Sequence, residues 1–78
     1  MNTFERLQEM IAATLKVPAA KITPTLRAED FAAWDSLGQV NLMMALEQTF
    51  DLYLEVEEFA ELNSVPAILD LLKARGVE

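Results

Sequence analysis

The sequence contains no cysteine and no histidine, only two glycines and three prolines, and thirteen acids against six bases. Each shortage excludes something. Without cysteine there is no disulfide framework, so a stapled secreted mini-protein is ruled out. Without thiol or imidazole there are no Cys/His zinc sites and no Ser-His-Asp or Cys-His nucleophile systems. A formal charge of −7 repels phosphate backbones, which argues against nucleic-acid binding. Scarce glycine and proline argue against loop-rich and β-rich folds. No apolar run approaches the roughly 18–20 residues that cross a bilayer, so no membrane span is expected. Met1 to Leu15 carries two glutamates and lacks a basic region followed by an apolar block, so it does not read as a secretory signal. Cytoplasm is the expected compartment.

What remains is short and rich in apolar residues. Seventy-eight residues make one small domain, 1–78, and a hydrophobic content of 53% is too high for a disordered chain. A core this small supplies little net stability, so close helix packing is the economical solution. A free-standing domain is expected, because the chain starts at Met1 and ends soon after its last periodic segment.

Periodicity divides the chain into helices and one long connection. From Asn2 to about Val17, Phe4, Leu7, Ile11 and Leu15 recur at spacings of three and four, one face of a helix. Asn2 and Glu5 have capping-box spacing at its start, and Pro18 is the expected stop. From Val17 to Ala33 the period is lost. Thr23-Pro24-Thr25 reads as a turn, Ile22, Leu26 and Phe31 are candidate pins for so long a loop, and Leu26 to Phe31 can close a helical turn. Asp35 is the next N-cap candidate, opening a helix from Ser36 to about Phe50. With Ser36 at zero and a step of about 100°, Leu42, Met43, Leu46 and Phe50 form a core stripe, while Leu37, Val40 and Met44 form a second apolar strip beside Ser36. A surface helix usually has one stripe; the second is either buried by another helix or offered to a partner. Val56 to Leu62 reads as a short acidic helix. Ser64 caps a last helix with Pro66 in its first turn, Val65, Ile68, Leu69 and Leu72 on one face, and Gly76 as its stop. The sum is an all-α bundle of three substantial helices and a short one.

Charge is unevenly laid out. Between Ala28 and Leu72 there are ten acids and no base; the remainder holds six bases and three acids. Such a block is a solvated acidic face, and it also steers the molecule toward basic partners.

Taken alone, Asp35-Ser36-Leu37 is adequately explained as helix-start chemistry. In context it says more: it follows a long irregular loop, opens an amphipathic helix near mid-chain, and lies in a small, acidic, helical chain. Trp34-Asp35-Ser36-Leu37 resembles the phosphopantetheine attachment motif of the acyl carrier proteins, whose core is Asp-Ser-Leu. Val40 to Phe50 resembles the family's second helix, Glu57 to Val65 its third and Val65 to Leu72 its fourth, so the resemblance covers essentially the whole chain. It implies a four-helix bundle of acyl-carrier type with a long first loop and a short third helix. It further implies a carrier, not an enzyme, with 4'-phosphopantetheine attached covalently to Ser36, flanked by the motif residues Asp35 and Leu37. A phosphopantetheinyl transferase would use the Ser36 hydroxyl to attack the pantetheine-side phosphate of coenzyme A, breaking the pyrophosphate bond and releasing adenosine 3',5'-bisphosphate, so that a phosphodiester-linked arm remains whose terminal thiol carries cargo as a thioester. The helix N-terminus suits a phosphate, because its free N–H groups and positive dipole end face the anion.

The resemblance also implies partners. They are the transferase, an acyl- or aminoacyl-loading ligase or transferase, and a downstream synthase or acyltransferase, with the carrier itself a monomer. Family members dock through residues after the serine, here Leu37, Val40, Met44 and then Glu47; docking is the reading taken for Leu37 and Met44, and docking and packing both stand for Val40. Where fatty-acid-synthesis carriers usually have acids early in helix two, this chain has Gly38, Gln39 and Asn41, and Trp34 before the motif is more familiar from dedicated pathways. A specialised lipid, polyketide or secondary-metabolite pathway is therefore expected. Trp34 reads first as a packing residue for the loop. Family members can also hide cargo among their helices, here near Phe31, Leu42, Leu46, Phe59, Leu62 and Ile68; an ordinary full core is the preferred reading, and bulky Phe59 favours short or polar cargo. The alternative function is an unmodified helical adaptor that docks basic partners through helix two.

Overall fold

A computed structural model describes residues 2–77. Four helices run in chain order: α1 (Thr3–Leu15), α2 (Ser36–Phe50), α3 (Val56–Glu61) and α4 (Val65–Ala74). Two single 3-10 turns, Ala19–Lys21 and Ala28–Asp30, lie in the long connection before α2. The described residues form no strand, and no helix among them is long and apolar enough to cross a membrane. This is the all-α bundle that the periodicity predicts.

Helix α1 begins on a reciprocal cap. The Asn2 side chain accepts from the Glu5 N–H at 2.8 Å, and Glu5 Oε1 accepts from the Asn2 N–H at 3.0 Å. Its end departs from the expectation. The helix stops at Leu15, before Pro18 acts, because Lys16 turns left-handed at φ 60°. The Val17 N–H then reaches back to the Ala12 carbonyl at 3.0 Å, satisfying a helix-end acceptor. A non-glycine residue in this conformation carries no sequence signal, which is why proline looked like the stop.

The long connection is tied down at several points. Ile22 is buried in the core, while Leu26 and Phe31 pack on it half-buried. Gln8 of α1 donates to the carbonyls of Ala19 and Ile22 at 3.0 and 2.9 Å. An isolated bridge pairs Arg27 with Ser64, fixed by Ala28 N–H to Asn63 O at 2.9 Å and Val65 N–H to Leu26 O at 2.8 Å. The loop is thus fastened to α1 at one end and to the junction of α3 and α4 at the other.

The core is continuous. Leu7 and Ile11 of α1, Leu42, Met43 and Leu46 of α2, and Val65, Ile68 and Leu72 of α4 are fully buried. Burial of each such side chain is worth about 1.5–3 kcal/mol. Helix α3 differs, since none of its residues is fully buried, although Phe59 packs partly on the core and Leu62 just beyond it is buried. Its position owes much to polar ties. The Arg75 guanidinium, just after α4, donates to both oxygens of Glu58 at 2.9 Å and to the Tyr53 carbonyl at 2.7 Å. Gly76 is left-handed at φ 82°, the expected stop after α4.

Candidate functional site

The corner where the loop enters α2 is built by four consecutive residues. Asp35 is extended and caps the helix, its Oδ1 accepting from the Gly38 N–H at 2.8 Å. Ser36 is therefore the first helical residue, and it is exposed. Leu37 follows at 70% exposure. Trp34 turns the other way and is buried, so it packs the loop as expected. One carboxylate cap thus places a solvent-facing hydroxyl at the N-terminus of a fifteen-residue helix. The chain holds no histidine, so no imidazole of its own stands beside this hydroxyl.

Gly38 has a reason beyond flexibility. A Cβ there would stand 3.0 Å from the Ala33 carbonyl oxygen, 3.0 Å from Leu15 Cδ2 and 3.2 Å from the capping Asp35 oxygen. The glycine lets the corner close against the end of α1. From sequence, Gly38 stands out only as one of the positions where an acid is missing from early α2.

Gln39 is a tie between the serine corner and α3 that the sequence reading did not single out. Its Oε1 accepts from the Trp34 indole N–H at 2.6 Å, and its Nε2 donates to the Phe59 and Leu62 carbonyls at 2.5 and 3.0 Å. One side chain thereby joins the serine corner, α2 and the end of α3. A signal was available: on the α2 wheel Gln39 falls at about 300°, inside the core stripe. A polar side chain at such a position needs partners.

Beside Ser36 lies an open groove of about 420 Å³, with Trp34, Ser36, Gln39, Phe59, Ala60 and Asn63 among its walls. It opens to solvent, and its Trp34 wall belongs to the core. Of the residues expected near an internal cargo space, Leu42, Leu46 and Ile68 are fully buried and Leu62 nearly so, while Phe31 and Phe59 are half-buried.

The second apolar strip of α2 is outward-facing. Leu37, Val40 and Met44 are 70%, 46% and 52% exposed, so none is a core residue. Glu47, the fourth residue of that expected face, is half-buried, and its Oε2 accepts from the Leu54 N–H at 2.9 Å. It therefore also holds the turn from α2 toward α3. Tyr53 and Val56, not singled out from sequence, are further large exposed side chains.

Glu58 lies where two hydrogen-bonding groups meet its carboxylate. Hydrogen bonding from the Glu55 backbone N–H holds its pKa below the usual carboxylate range, with the Arg75 guanidinium acting in the same direction and partial desolvation against it.

Comparison with known proteins agrees with this geometry. The family model described as the phosphopantetheine attachment site matches residues 5–72. The chain is 35% identical over 75 residues to the acyl carrier protein of Clostridium acetobutylicum, covering 96% of this chain and 97% of that protein. It is 31% identical over 77 residues to the acyl carrier protein of Buchnera aphidicola, covering 99% and 96%. With that of Helicobacter hepaticus it shares 35% over 75 residues, covering 95% and 97%.

Proposed function

This chain belongs to the acyl carrier protein family, and from that premise we propose that Ser36 is the residue that holds the prosthetic arm. The family's members are carriers rather than enzymes, and the group they bear is a covalently attached 4'-phosphopantetheine. When bound, that group supplies the thiol that this chain lacks, on which acyl cargo rides as a thioester.

The residues at the corner of α2 fit such a group. The hydroxyl of Ser36 is exposed and thus open to a transferase. The first turn of α2 offers unpaired N–H groups and the positive end of the helix dipole to a phosphate. The Asp35 cap fixes where the chain turns, and Gly38 keeps the corner tight. The neighbouring groove gives an attached arm a surface to lie along. The single observation that carries the reading is the exposed hydroxyl at the first position of α2, inside the attachment-site match.

The exposed strip of Leu37, Val40 and Met44 supports a docking role toward the transferase, the loading enzyme and a downstream synthase or acyltransferase. The acids between Ala28 and Leu72 favour basic surfaces on those partners. The pathway is a dedicated lipid, polyketide or secondary-metabolite route, in keeping with an early α2 that spends Gly38 and Gln39 on local packing rather than on charge. The carrier works as a monomer.

The test is intact mass. The chain is incubated with coenzyme A and a promiscuous phosphopantetheinyl transferase, beside Ser36→Ala. The carrier reading expects the mass of one phosphopantetheine to be added to the parent chain and not to the variant. No addition to either would leave the unmodified adaptor, docking through the same strip, as the better reading.

A further inference from the structure

We infer that Gln39 is a latch that holds α3 shut on α2, closes the core to whatever Ser36 carries, and so restricts the cargo to short or polar groups lying in the outer groove. The inference rests on the carrier reading for the word cargo; the latch itself stands on geometry.

Helix α3 has only six residues and none is fully buried, so apolar packing alone holds it weakly. Two polar ties supplement that packing from opposite sides. Arg75 grips its first half through Glu58 and the Tyr53 carbonyl. Gln39 grips its far end, donating to the Phe59 and Leu62 carbonyls at 2.5 and 3.0 Å. The amide cannot swing away freely, because the indole of Trp34, itself buried, donates to its oxygen at 2.6 Å. The two carbonyls lie at the C-terminal end of α3, where helix acceptors lack intrahelical donors. Releasing Gln39 would strand them together with a half-buried amide.

The latch stands between the groove and the core. Ser36, Gln39 and Phe59 share the groove's wall, while Leu42 and Leu46, further along the same helix, are fully buried. For an alkyl chain to pass from Ser36 into the core at this point, α3 must lift and both hydrogen bonds from Gln39 Nε2 to its C-terminal carbonyls must break. A small or polar group needs no such opening. It is accommodated against Trp34 and Phe59, with the polar side chain of Asn63 on the same wall.

The experiment has two arms. In the first, unmodified protein and the variants Gln39→Ala and Trp34→Phe are compared by amide hydrogen exchange. About tenfold faster exchange is expected in Val56–Glu61 for Gln39→Ala, and a smaller rise for Trp34→Phe, with α1 unchanged. Equal exchange in α3 for the parent and both variants would overturn the latch. In the second arm, octanoyl-phosphopantetheine is transferred from octanoyl-coenzyme A, and attachment is verified by intact mass. The methyl resonances of Leu42, Leu46 and Leu62 are then followed by NMR. The parent protein is expected to show changes only around Trp34, Phe59 and Asn63, whereas Gln39→Ala shows them at the core leucines. Core shifts in the octanoylated parent would overturn the inference. Absence of a mass gain would count against the carrier reading alone, and the exchange arm would still decide the latch.

Discussion

At the scale of single residues, the serine corner is a set of local bargains, and Gly38 shows how they are struck. Replacing glycine by alanine inside a helix ordinarily gains about 1 kcal/mol. Here the new methyl would press on a backbone carbonyl and on the oxygen that caps the helix. Overpacking of this kind costs about 1–3 kcal/mol. Gly38→Ala is therefore expected to lower stability by about 1 kcal/mol net, read as a lower denaturant midpoint with unchanged slope; a rise would show that the corner has slack. Asp35 was legible in the sequence because an N-cap acts within three residues of itself. Gly38 was not, because the atoms that forbid a side chain include Leu15 of another helix. Gln39 lay between these cases: its place in the core stripe was visible, but its acceptors are backbone carbonyls 20 and 23 residues away.

At the scale of elements, α2 serves two sides and α3 is held from two. The outward strip of α2 predicts that Met44→Glu, at a position 52% exposed, leaves helix content and melting nearly unchanged while slowing turnover by partner enzymes. A large loss of stability would mean that Met44 packs inside. For α3 the prediction concerns acid. Glu58 has its pKa lowered in the folded state, so the contribution of its carboxylate is fully present above the ordinary carboxylate pKa, about 4.3, and fades as pH falls through the lower folded value. Exchange of α3 amides should accordingly accelerate below about pH 4 relative to those of α1. In Glu58→Gln that difference should be flat across the same range; an identical acid response in the variant would assign it to other groups. The helices themselves were readable from period and caps: α2 starts and stops where Asp35 and the wheel place it. The end of α1 was not, since Lys16 adopts a left-handed turn that its residue type does not advertise. Nor was the pairing of Arg75 with Glu58, which depends on how α4 returns past α3.

At the scale of the whole molecule, a −7 chain with its acids gathered between Ala28 and Leu72 acts at a distance as well as by contact. Encounter with partner enzymes should weaken as salt is added toward about 1 M, where the screening length falls to about 3 Å. The expected signature is a rise in KM for the carrier with little change in kcat; a salt-independent KM would remove electrostatic steering from the account. The bundle and its acidic field were legible in composition and periodicity, whereas the groove was not, because it exists only once α3 is fastened over α2. The carrier function itself turns on where one group is attached, and fragmentation of the transferase-treated chain reads that location directly. The expected result is a single phosphopantetheine adduct on a peptide spanning Trp34 to Leu37, borne by Ser36. An adduct on Ser64 or on any threonine, with Ser36 unmodified, would contradict it.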